Sequence, residues 1–431
     1  MAKLTIHNIG PLRDIEMTLN RFNVIIGPQS SGKSTIAKII SFCQWLEKDL
    51  VIRQGLEDVD ERLLVKVLIK YFNMGDYFRD DSAFSYVSDV ISLSYADKKV
   101  TVSRNEGFAN APVSKNAYIP AERNLVTLPG IASLQWPQFY LRNYLFDWLS
   151  IRNIYNSGRK MKISNLGVTY YCRESDHENM LILDSGSEIP LNQASSGLQS
   201  AAPLYVLFDY LTKWVYENEG DRSFEKQSAM SQGAARRLVV EQTGFDPAKL
   251  DRILGDSEPS EVKEAFNKML STLMNAAEKG DGDNPLLQRL NELNREVARP
   301  RFSNIVVEEP EQNLFPATQA GLICDILAMV DHNRDNLVIT THSPFILCAL
   351  NNCMLAYRTH AAESLGLDFG PESYVNPDIV SVWELRDGYV EDYDGERNVT
   401  IQDEEGLIGS NYFDRVMGNI MADFTNLISA R

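Results

Sequence analysis

A glycine-rich loop, Gly27-Pro28-Gln29-Ser30-Ser31-Gly32-Lys33-Ser34, joins the apolar run Phe22–Ile26 to a segment in which Ile36, Ile39, Ile40 and Phe42 recur at helical spacing. A buried strand, a tight loop and a helix over 34–46 are predicted in that order. Gly27 and Gly32 free the loop from Cβ atoms, so successive N–H groups can converge on phosphate oxygens, and the helix start adds partial positive charge. Lys33 would reach the β- and γ-phosphates as a point charge, and the Ser34 hydroxyl would ligate Mg2+. Gly27, Pro28, Gln29, Ser30, Ser31, Gly32, Lys33, Ser34 and Thr35 are the candidate nucleotide-binding residues.

Two further segments suit the same chemistry. Ser195-Ser196-Gly197-Leu198-Gln199 precedes an apolar run over 201–211, which places a Ser-Gly turn at a helix N-terminus with unpaired N–H donors and a positive dipole. Ser196, Gly197 and Gln199 are its candidate phosphate contacts. Ile305-Val306-Val307-Glu308-Glu309 is a buried-strand run that ends in two carboxylates. Neighbouring strand residues point to opposite sides, so one acid can serve the Mg2+ shell while the other faces an attacking water. Glu308 is the metal-side acid on this reading, and Glu309 the base or water-orienting group. Leu337-Val338-Ile339-Thr340-Thr341 is another such run and ends at His342, whose ring can donate to a γ-phosphate or orient water. Open α/β sheets bind ligands at the carboxyl ends of their strands. Glu309, His342 and Lys33 are therefore the catalytic candidates, and Ser34 and Glu308 the metal candidates.

The chain of 431 residues carries 42 basic and 59 acidic side chains, a net charge of −17. That balance argues against a protein coating nucleic acid over its whole surface, although it leaves room for a local basic groove. No apolar stretch approaches the roughly 20 residues needed to cross a bilayer, and residues 1–12 show neither a signal h-region nor a basic transit helix. A cytoplasmic location without membrane contact is expected. Cys43, Cys172, Cys324, Cys348 and Cys353 form no CxxC pair and read as reduced thiols.

Alternation over 3–19 predicts two strands about a turn at Gly10-Pro11. Strand character returns over 87–95, 99–103, 117–119, 168–172 and 180–183, and helical spacing marks 134–151. Residues 200–297 read as a long helical stretch interrupted by Gly and Pro, its basic residues interleaved with acidic ones as on a solvated surface. Strand, helix and strand over 304–307, 318–332 and 337–341 signal a parallel sheet with crossover helices. The expected fold class is α/β, with 1–133 and 301–431 forming one lobe and 134–300 a mainly helical second lobe that carries the Ser-Gly loop. Residues 411–428 set Phe413, Val416, Ile420, Phe424 and Leu427 on one helical face, suited to packing on the core or on a partner.

Together these residues resemble the ABC-type ATPase class of P-loop NTPases, in the non-transporter branch that includes RecF, the chromosome-maintenance (SMC) ATPases and the OLD-type ATPases. Residues 27–34 match Walker A, 195–199 the signature loop, 305–309 Walker B, Asn313-Leu314 the D-loop and His342 the switch histidine. The resemblance implies a mixed, largely parallel sheet with a helical lobe, and ATP and Mg2+ as cofactors. It also implies a head-to-tail dimer that holds each ATP between Walker A of one subunit and Ser196-Gly197 of the other. Tyr118-Ile119-Pro120-Ala121-Glu122-Arg123 and the segment 308–316 look closer still to prokaryotic defence ATPases of the AAA-family type, such as the PARIS and Septu ATPase subunits. Those act with a separately encoded nuclease, and some build higher oligomers. A RecF-like ATPase that closes on DNA in repair is the alternative reading. The sequence departs from the class at Glu308, where Asp is usual, at Leu198, which replaces a signature glycine, and at Phe315, which stands at the usual D-loop acid. Gln135, Gln138, Glu122 and Arg123 are the candidates for the Q-loop position. Asp392-Tyr393-Asp394 lacks the surroundings of a nuclease centre and reads as a turn.

Overall fold

A computed structural model describes residues 1–56, 59–128, 131, 140–151, 154–217, 224–243, 268, 271, 284–361 and 364–429. Ala2–Ile9 (β1) and Leu12–Leu19 (β2) form the expected hairpin. The chain then enters Phe22–Ile26 (β3), in which every residue is buried. Lys33–Arg53 (α1) leaves the glycine-rich loop and buries Ile36, Ile39, Ile40 and Phe42, but it runs 21 residues instead of stopping near 46. Leu50, Val51 and Ile52 continue its buried stripe, and the helix ends only where Gln54 turns left-handed at φ 53°.

Phe78–Val87 (β4), Ile91–Ala96 (β5) and Lys99–Arg104 (β6) are antiparallel neighbours. The single strand expected over 87–95 is thus the end of one and the start of the next. The Ser88 hydroxyl accepts from the N–H groups of Val90 and Ile91, a local side-chain bond that closes a turn where alternation alone suggested continuity. Ser114–Ile119 (β7) is followed by Leu141–Ile151 (α2), whereas positions 134–139 of the expected helix lie outside the described residues.

Within residues 134–300 the strands expected over 168–172 and 180–183 are present and have short neighbours on either side. Met161–Ile163 (β8), Val168–Arg173 (β9), Glu178–Leu183 (β10) and Glu188–Pro190 (β11) make a second, four-stranded antiparallel sheet. Among the described residues the helices that follow α2 here are Ser196–Thr212 (α3), Phe224–Thr243 (α4) and Pro285–Ala298 (α5). α4 meets the far end of α1 so closely that a Cβ on Gly233 would stand 1.8 Å from the Ile52 carbonyl oxygen. Phe302–Glu308 (β12), Pro316–Met329 (α6), Asn336–Thr341 (β13), Pro344–Thr359 (α7), Val380–Arg386 (β14), Tyr389–Val390 (β15) and Tyr412–Ser429 (α8) follow.

The large sheet has the order β6-β5-β4-β1-β2-β15-β14-β3-β13-β12-β7. Its segment β14-β3-β13-β12-β7 is parallel throughout, as the strand-helix-strand alternation indicated. Strand residues feed two apolar layers by alternation. Phe22, Val24, Ile26, Ile305 and Val307 pack with α2, α3, α6 and α7 on one side, and Ile25, Val306 and Val338 pack with α1 on the other. The first layer joins α3 to β12 and β13, so the two expected lobes share one core. Register decides what emerges together: Thr341 pairs with Ile26, and Thr340 with both Ile25 and Glu308. The glycine-rich loop, His342 and Glu309 therefore leave the carboxyl ends of three adjacent parallel strands. The fold is an α/β P-loop NTPase fold. Among the described residues no helix is long and apolar enough to cross a membrane.

Candidate active site

Gly27 leaves β3 at φ 150°, Ser30 is left-handed at 61°, and Gly32 enters α1 at 109°. A Cβ on Gly27 would come within 2.2 Å of the Leu385 carbonyl oxygen on β14, so only glycine fits where the loop departs. Gly32 supplies no side-chain cap, which leaves the first-turn N–H groups of α1 for a ligand. Gln29, Ser30 and Ser34 are exposed at the mouth, Thr35 is buried on α1, and the Ser31 hydroxyl is shielded without a hydrogen-bond partner. Lys33 Nζ donates to the carbonyls of Gly27 at 3.0 Å and Pro28 at 2.8 Å and lies 3.5 Å from His342 Nδ1. Burial lowers its pKa to about 8, against the opposing pull of Glu309, Glu311 and Glu308. A desolvated ammonium that rests on carbonyls is set to receive an anion.

Glu308, the last residue of β12, is 5% exposed. Burial raises its pKa, and the Ser34 and Tyr118 hydroxyls nearby pull the other way. Its Oε1 is nonetheless shielded from water and makes no hydrogen bond, and neither does the Tyr118 hydroxyl. An orphaned carboxylate oxygen beside a serine hydroxyl is a fit for a hard cation such as Mg2+, which takes one or two protein oxygens and completes its octahedron with phosphate and water. Among the described residues no cluster of three or more His, Cys, Asp or Glu is placed to hold a metal by itself.

Glu309 turns the chain at φ 43°, with its N–H bound to the Thr340 carbonyl. Its Oε1 lies 3.2 Å from His342 Nε2. That hydrogen bond, aided by the charges of His342, Lys33 and Arg123, holds the carboxyl below the ordinary glutamate range. Glu308 and Glu309 thus carry opposite shifts although they are adjacent in sequence. Glu311 accepts from the His342 backbone N–H at 2.6 Å and is itself raised by burial.

Arg123 is fully buried and donates to five backbone carbonyls, those of Pro120, Ser200, Glu308, Glu309 and Pro310. It ties the first turns of α3 to the end of β12. Gln135 and Gln138 lie outside the described residues, whereas the Glu122 carboxylate accepts from the Tyr140 hydroxyl at 3.2 Å. The family resemblance names Arg123 as a candidate for the Q-loop position, but its role as a clamp was not readable in the sequence. Glu311 and Tyr118 were missed as site residues; the third acid of Glu308-Glu309-Pro310-Glu311 and the pairing of β7 with β12 are the signals that point to them.

Lys33, Glu309 and His342 are joined by direct contacts and the Ser34 hydroxyl lies beside Glu308, while the 195–199 loop abuts the segment after Glu309 without a hydrogen bond from Ser196, Gly197 or Gln199 to those five residues among the described residues. Ser195 caps α3, and it and Ser196 are exposed. A Cβ on Gly197 would be 2.9 Å from the Asn313 carbonyl oxygen. Gln199 lies in the same loop. Its amide donates to the carbonyls of Asn192 and Ala194 and accepts from Thr127, so it braces its own loop.

No protein-family model matches the chain, and no curated protein matches it. Among solved structures it is similar to the SMC head domain from Thermotoga maritima, at 10% identity over 80% of this chain and 90% of that one, with a TM-score of 0.32. It is also similar to the recombination mediator protein RecF-ATPrS of the RecFOR pathway, at 10% identity over 90% and 96% with a TM-score of 0.26. A nucleotide-free ATP-binding cassette from an ABC transporter matches at 13% identity over 90% of each chain, with a TM-score of 0.23. At these identities and TM-scores the likenesses carry no argument, and the fold and chemistry rest on the elements and residues described above.

Proposed function

We propose that the chain is a cytosolic, Mg2+-dependent ATPase, two copies of which close head to tail so that each ATP lies between residues 27–35 of one and Ser196-Gly197 of the other. The convergence of Lys33, Ser34, Glu308, Glu309 and His342 at the ends of β3, β12 and β13 carries this reading. Loop N–H groups and Lys33 bind the β- and γ-phosphates, with Lys33 exchanging the Gly27 and Pro28 carbonyls for phosphate oxygens. Ser34 and Glu308 hold the metal, which when bound neutralises charge on the phosphate oxygens. Glu309, kept ionised by His342, accepts a proton from the attacking water or orients it. His342 bridges that carboxylate to Lys33, and Glu311 fixes the His342 backbone. The exposed hydroxyls of Ser195 and Ser196 and the positive helix end beneath them, where Ser195 caps only the Leu198 N–H, suit a phosphate presented by a second subunit.

Phosphate release and nucleotide retention test the assignment. Lys33→Ala and Ser196→Arg are each expected to be inactive, and mixing them should restore activity through heterodimers that keep one intact composite site. Failure to complement refutes the shared site; hydrolysis left unchanged by Glu309→Gln refutes the base. We further infer a regulatory role toward a partner nuclease in bacterial defence, supported by the resemblance of residues 118–123 and 308–316. A neighbouring nuclease gene would support it, and a replication or repair operon would favour the RecF-like alternative.

A further inference from the structure

The interleaved charges of residues 200–297 suggest a solvated surface, but the fold turns some of them inward. At the end of α1 remote from the phosphate loop, a cavity of about 340 Å3 opens between Gln54 at the helix tip, Arg104 at the end of β6, and the facing sides of α4 and α5. The length of α1 sets it roughly 31 Å from the nucleotide site. Arg104, Arg236, Arg237 and Arg289 line it against Glu241 and Glu296, a surplus of two positive charges on a chain whose net charge is −17.

Both acids are already engaged. Arg289 holds the Glu241 carboxylate with two bonds, of 3.0 and 2.8 Å, and reaches Glu296 at 3.5 Å. Arg237 is left over: its Nε and Nη2 are shielded from water and make no hydrogen bond. Burial lowers its pKa, and Glu296 and Glu241 oppose this through charge alone. Donors buried without an acceptor destabilise a chain, and in a native structure such a group marks a place where an acceptor is to be supplied. Arg104 is fixed beforehand, with Nη2 donating to the Gln54 carbonyl at 2.8 Å and the guanidinium carbon 4.4 Å from the Phe108 ring centroid. Guanidinium forks held in this way match the oxygens of a phosphate.

We propose that this cavity binds a small phosphate-bearing molecule, whose phosphate takes the donors of Arg237 and Arg104 and cancels the two surplus charges. A phosphate monoester carries about −1.5 to −2 at neutral pH, which matches that surplus. The cavity volume stands at the lower end of the range for small-molecule sites, about 300–1,000 Å3. Val240 and Leu293 give it an apolar side for the organic group attached to the phosphate. A nucleic-acid backbone suits it poorly, because a polymer is held by a row of cations along an open surface and the acidic chain as a whole repels it.

The test titrates inorganic phosphate and AMP into the full chain carrying Lys33→Ala, which silences the phosphate loop, and reads binding by calorimetry. Saturable binding of one molecule per chain is expected for a phosphate-bearing probe and none for adenosine. Adding Arg237→Gln or Arg104→Gln should weaken it about tenfold or more, the loss expected for a hydrogen bond to a charged group. Arg295→Gln, on an exposed residue of α5 outside the cavity wall, should leave it unchanged. Arg237→Gln removes a charge that has no hydrogen-bonded partner, so the melting temperature of the ligand-free chain should not fall. Absence of saturable binding by both probes, binding that ignores Arg237→Gln and Arg104→Gln, or an arginine-dependent affinity shown by duplex DNA in place of the small phosphates would each overturn the site. None of these results bears on ATP at the phosphate loop, so the two assignments stand or fall separately.

Discussion

The His342 ring lies 3.2 Å from the Glu309 carboxylate across the ends of two adjacent strands, and it is the main reason that carboxyl sits below the ordinary glutamate range. Glu309→Gln should lower hydrolysis on the order of 10²- to 10⁴-fold while ATP stays bound. His342→Ala removes the group that favours the carboxylate, so the Glu309 pKa rises. The acid limb of the kcat profile then moves to higher pH, because the base must be ionised to act. Steady-state phosphate release across pH checks both, and an unmoved acid limb rules out the pairing as a functional one.

Lys33 offers a separate pH signature. Burial brings its pKa to about 8 in the nucleotide-free chain, and a bound triphosphate would raise it again. Below about pH 8 the ammonium is already charged and ATP affinity should be level. Above that, binding must take up a proton, and affinity should fall by up to about tenfold per pH unit. Calorimetry in buffers of differing ionisation enthalpy reads the proton directly; binding without uptake near pH 9 contradicts the assignment.

The unsatisfied Oε1 of Glu308 predicts how metal and stability are linked. Mg2+ with ATP should raise the melting temperature of wild type, and chelation should reverse the gain. Glu308→Gln keeps the shape but not the charge, so the Mg2+-dependent part of that rise should vanish while metal-free ATP binding persists. Melting curves with and without chelator decide it.

Arg123→Lys should behave as a severe change. Lysine offers one ammonium where the guanidinium fork serves five carbonyls, four of them in buried bonds. A loss on the order of 3 kcal/mol or more in denaturant unfolding is expected from hydrogen bonds of this kind. A stability change under about 0.5 kcal/mol, the range of an ordinary surface substitution, would show that the clamp is dispensable.

The parts legible in the sequence were those whose chemistry is local. Residues 27–34 reveal themselves by glycine spacing between two periodicities, and the apolar runs ending at Glu308 and His342 place both at strand ends without knowledge of the sheet. Contacts between distant segments were not legible: Arg123 reaches Glu308 from 185 positions away. The Ser88 turn was hidden because apolar residues resume on either side of it; of the 161–190 sheet the central strands at 168–172 and 180–183 were legible, and only the edge strands β8 and β11, three residues each, were too short to show. The amphipathic character of α8 was plain from its spacing, but spacing cannot say which body covers the stripe.

Helix α1 starts at the phosphate loop and ends against Gly233, 21 residues later. At 1.5 Å per residue it is a rigid arm roughly 31 Å long. A pivot of about 5° at its phosphate end sweeps the opposite tip through roughly 2–3 Å, over the length that this rise sets. Since no side chain at position 233 cushions the joint, any such pivot would press backbone directly on backbone at the α4–α5 pair.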